Sequence, residues 1–248
     1  MWPYPKVIAH RGGGTLSPEN TLAAMQCGLD YGFSAVEFDV MLSKDGIPVL
    51  MHDPEFGRTV SGKGLVAECD AVDLQKMDAG RWFSDKFIGE TVPTYEEVVR
   101  FCRVHGIWMN VEIKPSPGVE QETGRVVAEL TAKLFADVSV TDVQHLPLFS
   151  SFEFPALLAA KQAAPQIPRG FLMDEINPDW RADLQELSAV ALHTNHKHLN
   201  LDLARQVKDA GYGLFCYTVN TTERAKEILS WGVDAFCTDR IDLIPADF

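Results

Sequence analysis

The 248-residue chain has no apolar run approaching the roughly 20 residues that cross a bilayer. It has no basic surplus either: 22 Lys and Arg stand against 35 Asp and Glu, a formal charge of −13. A surface this acidic argues against nucleic acid or an anionic membrane as the main partner. It leaves room for a small anionic substrate held by a local cation and a few basic side chains. Cysteine is sparse: Cys27, Cys69, Cys102, Cys216 and Cys237 lie far apart with no C-x-x-C pair. They read as reduced, mostly buried thiols rather than a disulfide framework. The opening Met-Trp-Pro-Tyr-Pro-Lys lacks the basic and apolar regions of a secretory signal, so the expected compartment is the cytoplasm. No internal repeat or low-complexity stretch is visible.

What is present is 46% hydrophobic residues, enough for one sizeable core. Strands are predicted at Val7–His10, Ala35–Asp39, Met109–Lys114, Leu148–Ser151, Gly170–Met173, Val190–His193, Leu214–Val219 and Ala235–Thr238. Helical patterns separate most of them: Thr21–Tyr31, Tyr95–His105, Gly124–Phe135, Pro155–Ala164, Leu201–Ala210 and Thr222–Trp231. Ser, Asn and Thr open several of these helices and Gly closes them, as helix ends require. Regular β-α alternation implies a parallel sheet with helices outside. Eight strands point to an α/β fold, a closed (β/α)8 TIM barrel, with a doubly wound open sheet as the alternative. One domain over residues 1–248 is expected.

A ninth β-type run, Ile47–His52, breaks the rhythm. It follows the second strand too closely for a parallel crossover, so it must return antiparallel. Asp45-Gly46 predicts a two-residue turn of type I′, pairing Lys44 with Ile47, Leu42 with Val49 and Asp39 with His52. Opposed residues share a face, so Glu37, Asp39 and His52 are expected together. Residues from about 53 to 92 lose the alternation and read as an insertion after the hairpin.

In such barrels the chemistry gathers at the C-terminal ends of the strands. His10 and Arg11 end the first, Glu37 and Asp39 the second, Glu112 and Lys114 the third. Three carboxylates without a nearby thiolate suit a hard divalent cation, Mg²⁺ or Ca²⁺; salt bridges to Arg11 and Lys114 are the plainer alternative. His10 and His52 suit general acid–base catalysis, with His10 favoured as base and His52 as acid, or else a role as metal ligands. Arg11 and Lys114 suit phosphate contacts. Gly12-Gly13-Gly14 fits either close ligand approach or a flexible loop. Pro18-Glu19-Asn20-Thr21 fits a capped helix start, with Glu19 or Asn20 able to orient a histidine. His193, His196 and His198 raise a zinc site, but an extended segment turns the first two opposite ways. Phe152, Tyr217 and Trp82 are candidate walls for a substrate head group, or core aromatics.

Together these residues resemble the glycerophosphodiester phosphodiesterase family. The resemblance rests on Ile8-Ala9-His10-Arg11-Gly12, Pro18-Glu19-Asn20-Thr21, Val36-Glu37-Phe38-Asp39-Val40, Lys44-Asp45-Gly46, His52-Asp53 and Val111-Glu112-Ile113-Lys114-Pro115. Tyr217-Thr218-Val219-Asn220, Gly232-Val233-Asp234 and Thr238-Asp239 extend it over nearly the whole chain. It looks closest to the short cytosolic bacterial type. It implies a TIM barrel that hydrolyses glycerophosphodiesters, such as glycerophosphocholine or glycerophosphoethanolamine, to sn-glycerol 3-phosphate and an alcohol. It implies His10 and His52 as the acid–base pair, Glu37, Asp39 and Glu112 as ligands of one divalent cation, and Arg11 and Lys114 at the phosphate. Tyr217 stands where relatives often carry Trp. Oligomeric state stays open, a homodimer included. A lipid phosphodiesterase would need an apolar rim or basic patch, which the charge opposes. A binding module without chemistry would show a gap among the histidines or carboxylates, and none is visible.

Overall fold

Residues 2–248 are described by the computed structural model. Strand β1 (Val7–Ala9) leads to helix α1 (Leu22–Asp30), and β2 (Ala35–Leu42) turns back into β3 (Pro48–Leu50). A short helix, α2 (Ala71–Leu74), lies in the insertion before α3 (Tyr95–Val104). Strand and helix then alternate: β4 (Trp108–Ile113), α4 (Glu120–Leu134), β5 (Leu148–Ser151), α5 (Phe154–Ala163), β6 (Arg169–Met173) and α6 (Trp180–Leu187). The chain closes with β7 (Ala191–Asn195), α7 (Leu201–Asp209), β8 (Gly213–Tyr217), α8 (Thr222–Ser230) and β9 (Ala235–Thr238). Helix α6 has no counterpart among the sequence expectations.

The parallel order is β1-β9-β8-β7-β6-β5-β4-β2, and β1 pairs β2, so the barrel closes. Strand β1 meets β2 only at Ala9 and Val36. That leaves the upper part of the same edge free, and β3 takes it at Val40–Leu42. Val36, Phe38 and Val40 pack outward in the main core, with Phe38 and Tyr95 ring centroids 6.1 Å apart. Alternation then turns Ala35, Glu37 and Asp39 inward. The barrel floor is apolar: Ile8, Ala35, Trp108, Leu148, Phe215 and Ala235 fill it beneath Tyr4. The charged candidate residues gather at the opposite, C-terminal end. Helix α3 starts with a full capping box between Thr94 and Glu97; such a cap contributes about 1 kcal/mol.

The hairpin differs from expectation by one residue. Ser43 N–H donates to Ile47 O at 3.0 Å, and Gly46 N–H to Ser43 O at 3.0 Å, with Gly46 at φ +76°. This is a three-residue turn with a bulge at Gly46 rather than a two-residue one. Its register is Leu42 with Pro48, Met41 with Val49 and Val40 with Leu50. Ser43 explains the shift: its hydroxyl accepts the Ile47 N–H at 2.9 Å and reaches Asp45 Oδ1 at 2.6 Å. Asp45 Oδ1 also accepts the Ala71 N–H at 2.9 Å, tying the turn to the insertion. The expected pairs Leu42–Val49 and Asp39–His52 therefore do not form. A one-residue slip would send His52 to the outer face. It reaches the mouth because β3 ends at Leu50. The last bond of the pair is Met51 N–H to Asp39 O at 3.2 Å, after which the chain leaves the strand.

The insertion has its own small core. Val60, Val66, Leu74 and Val92 bury Met41, Val49 and Met51, the residues of the hairpin that rise above the barrel rim. Its backbone is laced by isolated antiparallel bridges, Glu55 with Leu65 and Asp78 with Thr91.

Candidate active site

Two adjacent strands, β2 and β4, build one acidic cluster; Glu37 and Asp39 lie within β2, which runs on to Leu42 rather than ending at Asp39 as expected. Glu37, Asp39 and Glu112 each offer a carboxylate oxygen, all within 4.8 Å of one another. Burial, together with repulsion from Asp39, pushes Glu37 and Glu112 upward. Burial works the same way on Asp39, but Arg11, Lys114 and His52 outweigh it and hold its carboxyl below the usual range. Glu37 Oε1 is buried without any hydrogen-bond partner. Two carboxyls that resist ionisation and an unpartnered carboxylate oxygen fit a positive charge held at this point. The cluster fits a hard divalent cation by donor chemistry as well as by spacing.

Asn20 holds Asp39 from two sides. Its amide donates to Asp39 Oδ2 at 2.8 Å and its carbonyl accepts the Asp39 N–H at 3.1 Å. The motif at Pro18–Thr21 thus orients a carboxylate, not a histidine. Thr21 caps α1, accepting the Ala24 N–H at 3.1 Å. Glu19 instead accepts Arg11 Nη1 at 2.7 Å. The glycine triplet is a packing requirement. A Cβ on Gly14 would lie 2.1 Å from Asp239 O, and one on Gly12 2.9 Å from the Ala24 carbonyl carbon.

Each histidine is paired through Nδ1 with an aspartate. His10 Nδ1 lies 2.5 Å from Asp239 Oδ1, and His52 Nδ1 lies 2.6 Å from Asp53 Oδ1. Asn220 steadies the first pair, donating to Asp239 Oδ2 at 2.9 Å and accepting the Asp239 N–H at 2.9 Å. The free nitrogens meet opposite charges: His10 Nε2 is 3.7 Å from Glu37 Oε2, whereas His52 Nε2 is 2.6 Å from Lys114 Nζ. An ammonium only donates, so His52 Nε2 accepts and its proton sits on Nδ1. Proton affinities diverge accordingly. For His10, burial opposes the charge, but the Asp239 bond and Glu37 prevail and raise it above 6.5. For His52, burial, with help from Arg11 and Lys114, lowers it below 6.5 despite Asp39 and Asp53.

Lys114 also lies 3.8 Å from both Asp39 and Glu112, and Arg11 Nε is 3.5 Å from Asp39 Oδ2. Six of the seven candidate residues therefore line one space, with Asp39 buried behind it. Its cavity, about 210 Å³, is lined by His10, Arg11, Glu37, His52, Glu112 and Lys114, with Phe152, Leu172, Phe215 and Tyr217 as apolar walls. Phe152 and Tyr217 meet edge to face at 5.7 Å. Trp82 is not among these walls; it is half exposed on the insertion and bonds Ala79 O through Nε1 at 2.8 Å.

The three later histidines do not gather. His193 is buried inside the barrel, stacked on Phe215 at 4.5 Å with both ring nitrogens unpartnered, and burial pushes it down to about 3. His196 accepts from Arg224 Nε at 3.2 Å, and His198 is exposed beside Asp174 and Glu175. The supporting aspartates Asp53 and Asp239 are motif members whose role the sequence does not show. Nothing in local spacing links Asp239 to a histidine 229 positions away.

A TIM barrel with an acidic cluster, two histidine–aspartate pairs and two cations at its mouth has the groups that phosphodiester hydrolysis uses. Comparison with known proteins makes this specific. The model of the glycerophosphoryl diester phosphodiesterase family matches residues 10–243. A glycerophosphodiester phosphodiesterase of Caldanaerobacter subterraneus subsp. tengcongensis is 32% identical over 238 residues, covering 94% of this chain and 93% of that one. One of Bacillus altitudinis is 31% identical over 245 residues, covering 94% of each. An Oleispira antarctica phosphodiesterase, solved with the product sn-glycerol-3-phosphate, superposes with a TM-score of 0.88 at 34% identity, covering 98% of this chain and 94% of that one. The chain belongs to the glycerophosphoryl diester phosphodiesterase family, and is a phosphoric diester hydrolase. Among the described residues, no helix is long and apolar enough to cross a membrane.

Proposed function

We propose that the chain is a single-domain cytoplasmic enzyme that hydrolyses glycerophosphodiesters such as glycerophosphocholine and glycerophosphoethanolamine to sn-glycerol 3-phosphate and an alcohol. The observation that carries this reading is the placement of two oppositely poised histidines across one cavity that also holds the carboxylate cluster. Glu37, Asp39 and Glu112 would hold one Mg²⁺ or Ca²⁺, which supplies charge stabilisation at the phosphoryl oxygens. Arg11 and Lys114 orient the phosphate and share that charge. His52 accepts a proton at Nε2 from the attacking oxygen, either of water directly or of the glycerol 2-hydroxyl to give a cyclic phosphate that water then opens to sn-glycerol 3-phosphate, while Asp53 steadies Nδ1–H. His10 delivers its Nε2 proton to the leaving alkoxide, held in place by Asp239. This order reverses the one favoured from sequence, because Lys114 faces His52 and Glu37 faces His10. Phe152 and Tyr217 shield the space from water and offer faces to the substrate.

The test is incubation with glycerophosphocholine and glycerophosphoethanolamine, with glycerol 3-phosphate read by a coupled dehydrogenase. Product is expected with Mg²⁺ or Ca²⁺ and should vanish with EDTA. Activity indifferent to EDTA would remove the metal from the account, and no product with any metal would remove the substrate.

A further inference from the structure

Arg58 lies on the insertion, outside the barrel, yet each donor group it uses ends on a carboxylate that holds a site residue. Its Nε donates to Asp53 Oδ2 at 2.6 Å, and the other oxygen of Asp53 is the partner of His52. Its Nη1 and Nη2 donate to Glu19 at 2.6 and 2.7 Å, and Glu19 is the partner of Arg11. One guanidinium thus joins two short chains, Arg58–Asp53–His52 and Arg58–Glu19–Arg11. It also keeps two carboxylates together that would otherwise repel. Both respond: for Asp53 burial opposes the charge, but bonds from Arg58 and His52 hold it down to about 2, and for Glu19 the Arg58 bond leads the groups that overcome burial.

We propose that Arg58 is a positioning residue for hydrolysis, coupling the closed insertion to the orientation of both His52 and Arg11. The inference rests on the phosphodiesterase reading above. It requires the fork of a guanidinium: a lysine keeps the charge but cannot span Asp53 and Glu19 with fixed, diverging donors. Half-exposed at 45%, the Arg58 side chain sits where a small solute can reach.

The experiment measures kcat, KM and melting temperature for wild type, Arg58→Ala and Arg58→Lys, with and without added guanidinium at non-denaturing concentration. Arg58→Ala should lose about 10–100-fold in kcat, the range for partners that orient functional side chains. Guanidinium should restore much of that loss, leaving wild type unchanged. Arg58→Lys should stay impaired at a near-native melting temperature, which keeps the test decisive if the alanine variant folds poorly. Arg58→Ala turnover within about twofold of wild type, or a loss that guanidinium leaves untouched and that tracks a fall in melting temperature, would overturn the inference. If wild type turns over no glycerophosphodiester, the functional reading itself fails and takes this inference with it; if wild type is active and both variants match it, only the inference fails.

Discussion

His10 and His52 carry the same local pattern, an imidazole whose Nδ1 meets an aspartate, but they stand on different kinds of structure. His10 follows a barrel strand and Asp239 follows its parallel neighbour, β9 with β1, locked by Asn220. His52 follows an edge hairpin, and its aspartate is the next residue along the chain, held from the insertion by Arg58. The charges in front of them also differ: Glu37 faces one and Lys114 the other. The aspartate behind each histidine fixes which nitrogen is free, and burial, that aspartate and the facing charge together set whether it holds a proton: the Asp239 bond and Glu37 raise His10, while burial, with Arg11 and Lys114, lowers His52. One site can therefore contain a donor and an acceptor made from the same pair of residue types.

The largest effects should come from removing either ring. His10→Ala and His52→Ala are each expected to lower kcat by about 10²–10⁴-fold while the fold survives, seen as unchanged circular dichroism. A small loss in only one of them would break the symmetry of the comparison.

Replacing the supports should cost less and separate the two sides by pH. The base must be neutral, so rate falls as pH drops through the depressed His52 value; the acid must be charged, so rate falls as pH rises through the raised His10 value. A plateau straddling about 6.5 follows, the imidazole reference from which the two depart in opposite directions. A cation held by Glu37 would take up much of its charge, which would leave the Asp239 bond to sustain the alkaline side. Asp239→Asn removes a bond that raises His10, so the alkaline limb should move to lower pH. Asp53→Asn removes a bond that raises His52, so the acid limb should move to lower pH. Each should also cost about 10–100-fold in kcat. Identical shifts of the same limb in both variants would contradict the separate roles.

The smallest effect is a control on stability alone. Thr94→Ala removes the cap of α3, next to the insertion but away from the cavity. It should cost about 1 kcal/mol in urea unfolding with kcat unchanged.

Much of this arrangement was legible before any coordinates. The barrel follows from β-α rhythm; His10, Arg11, Glu112, Lys114 and His52 lie at or just past strand ends, and Glu37 and Asp39, within β2, face inward by alternation. The hairpin register was missed because Asp45-Gly46 is a strong signal for a two-residue turn, while the extra residue is imposed by Ser43, whose hydroxyl bonding depends on the folded loop. The Pro18–Thr21 motif reads in sequence as a helix start, or as able to orient a histidine, because sequence shows the motif but not that Asp39 approaches Asn20 across the barrel mouth. Asp239 and Arg58 act through partners remote in sequence or on an irregular insertion, where no periodicity reports direction. Helix α6 does carry a stripe, with Trp180, Leu184 and Leu187 at i, i+4 and i+7 all buried, but at eight residues it is too short for that periodicity to stand out in the sequence.

The order of proton transfer is tested most directly by leaving-group rescue. His10→Ala and His52→Ala would be assayed on glycerophosphocholine and on a p-nitrophenyl diester of glycerol 3-phosphate, whose leaving group departs without a proton. The account predicts that His10→Ala recovers most of its loss on the p-nitrophenyl substrate, whereas His52→Ala stays impaired on both. Recovery of His52→Ala with no recovery of His10→Ala would contradict it.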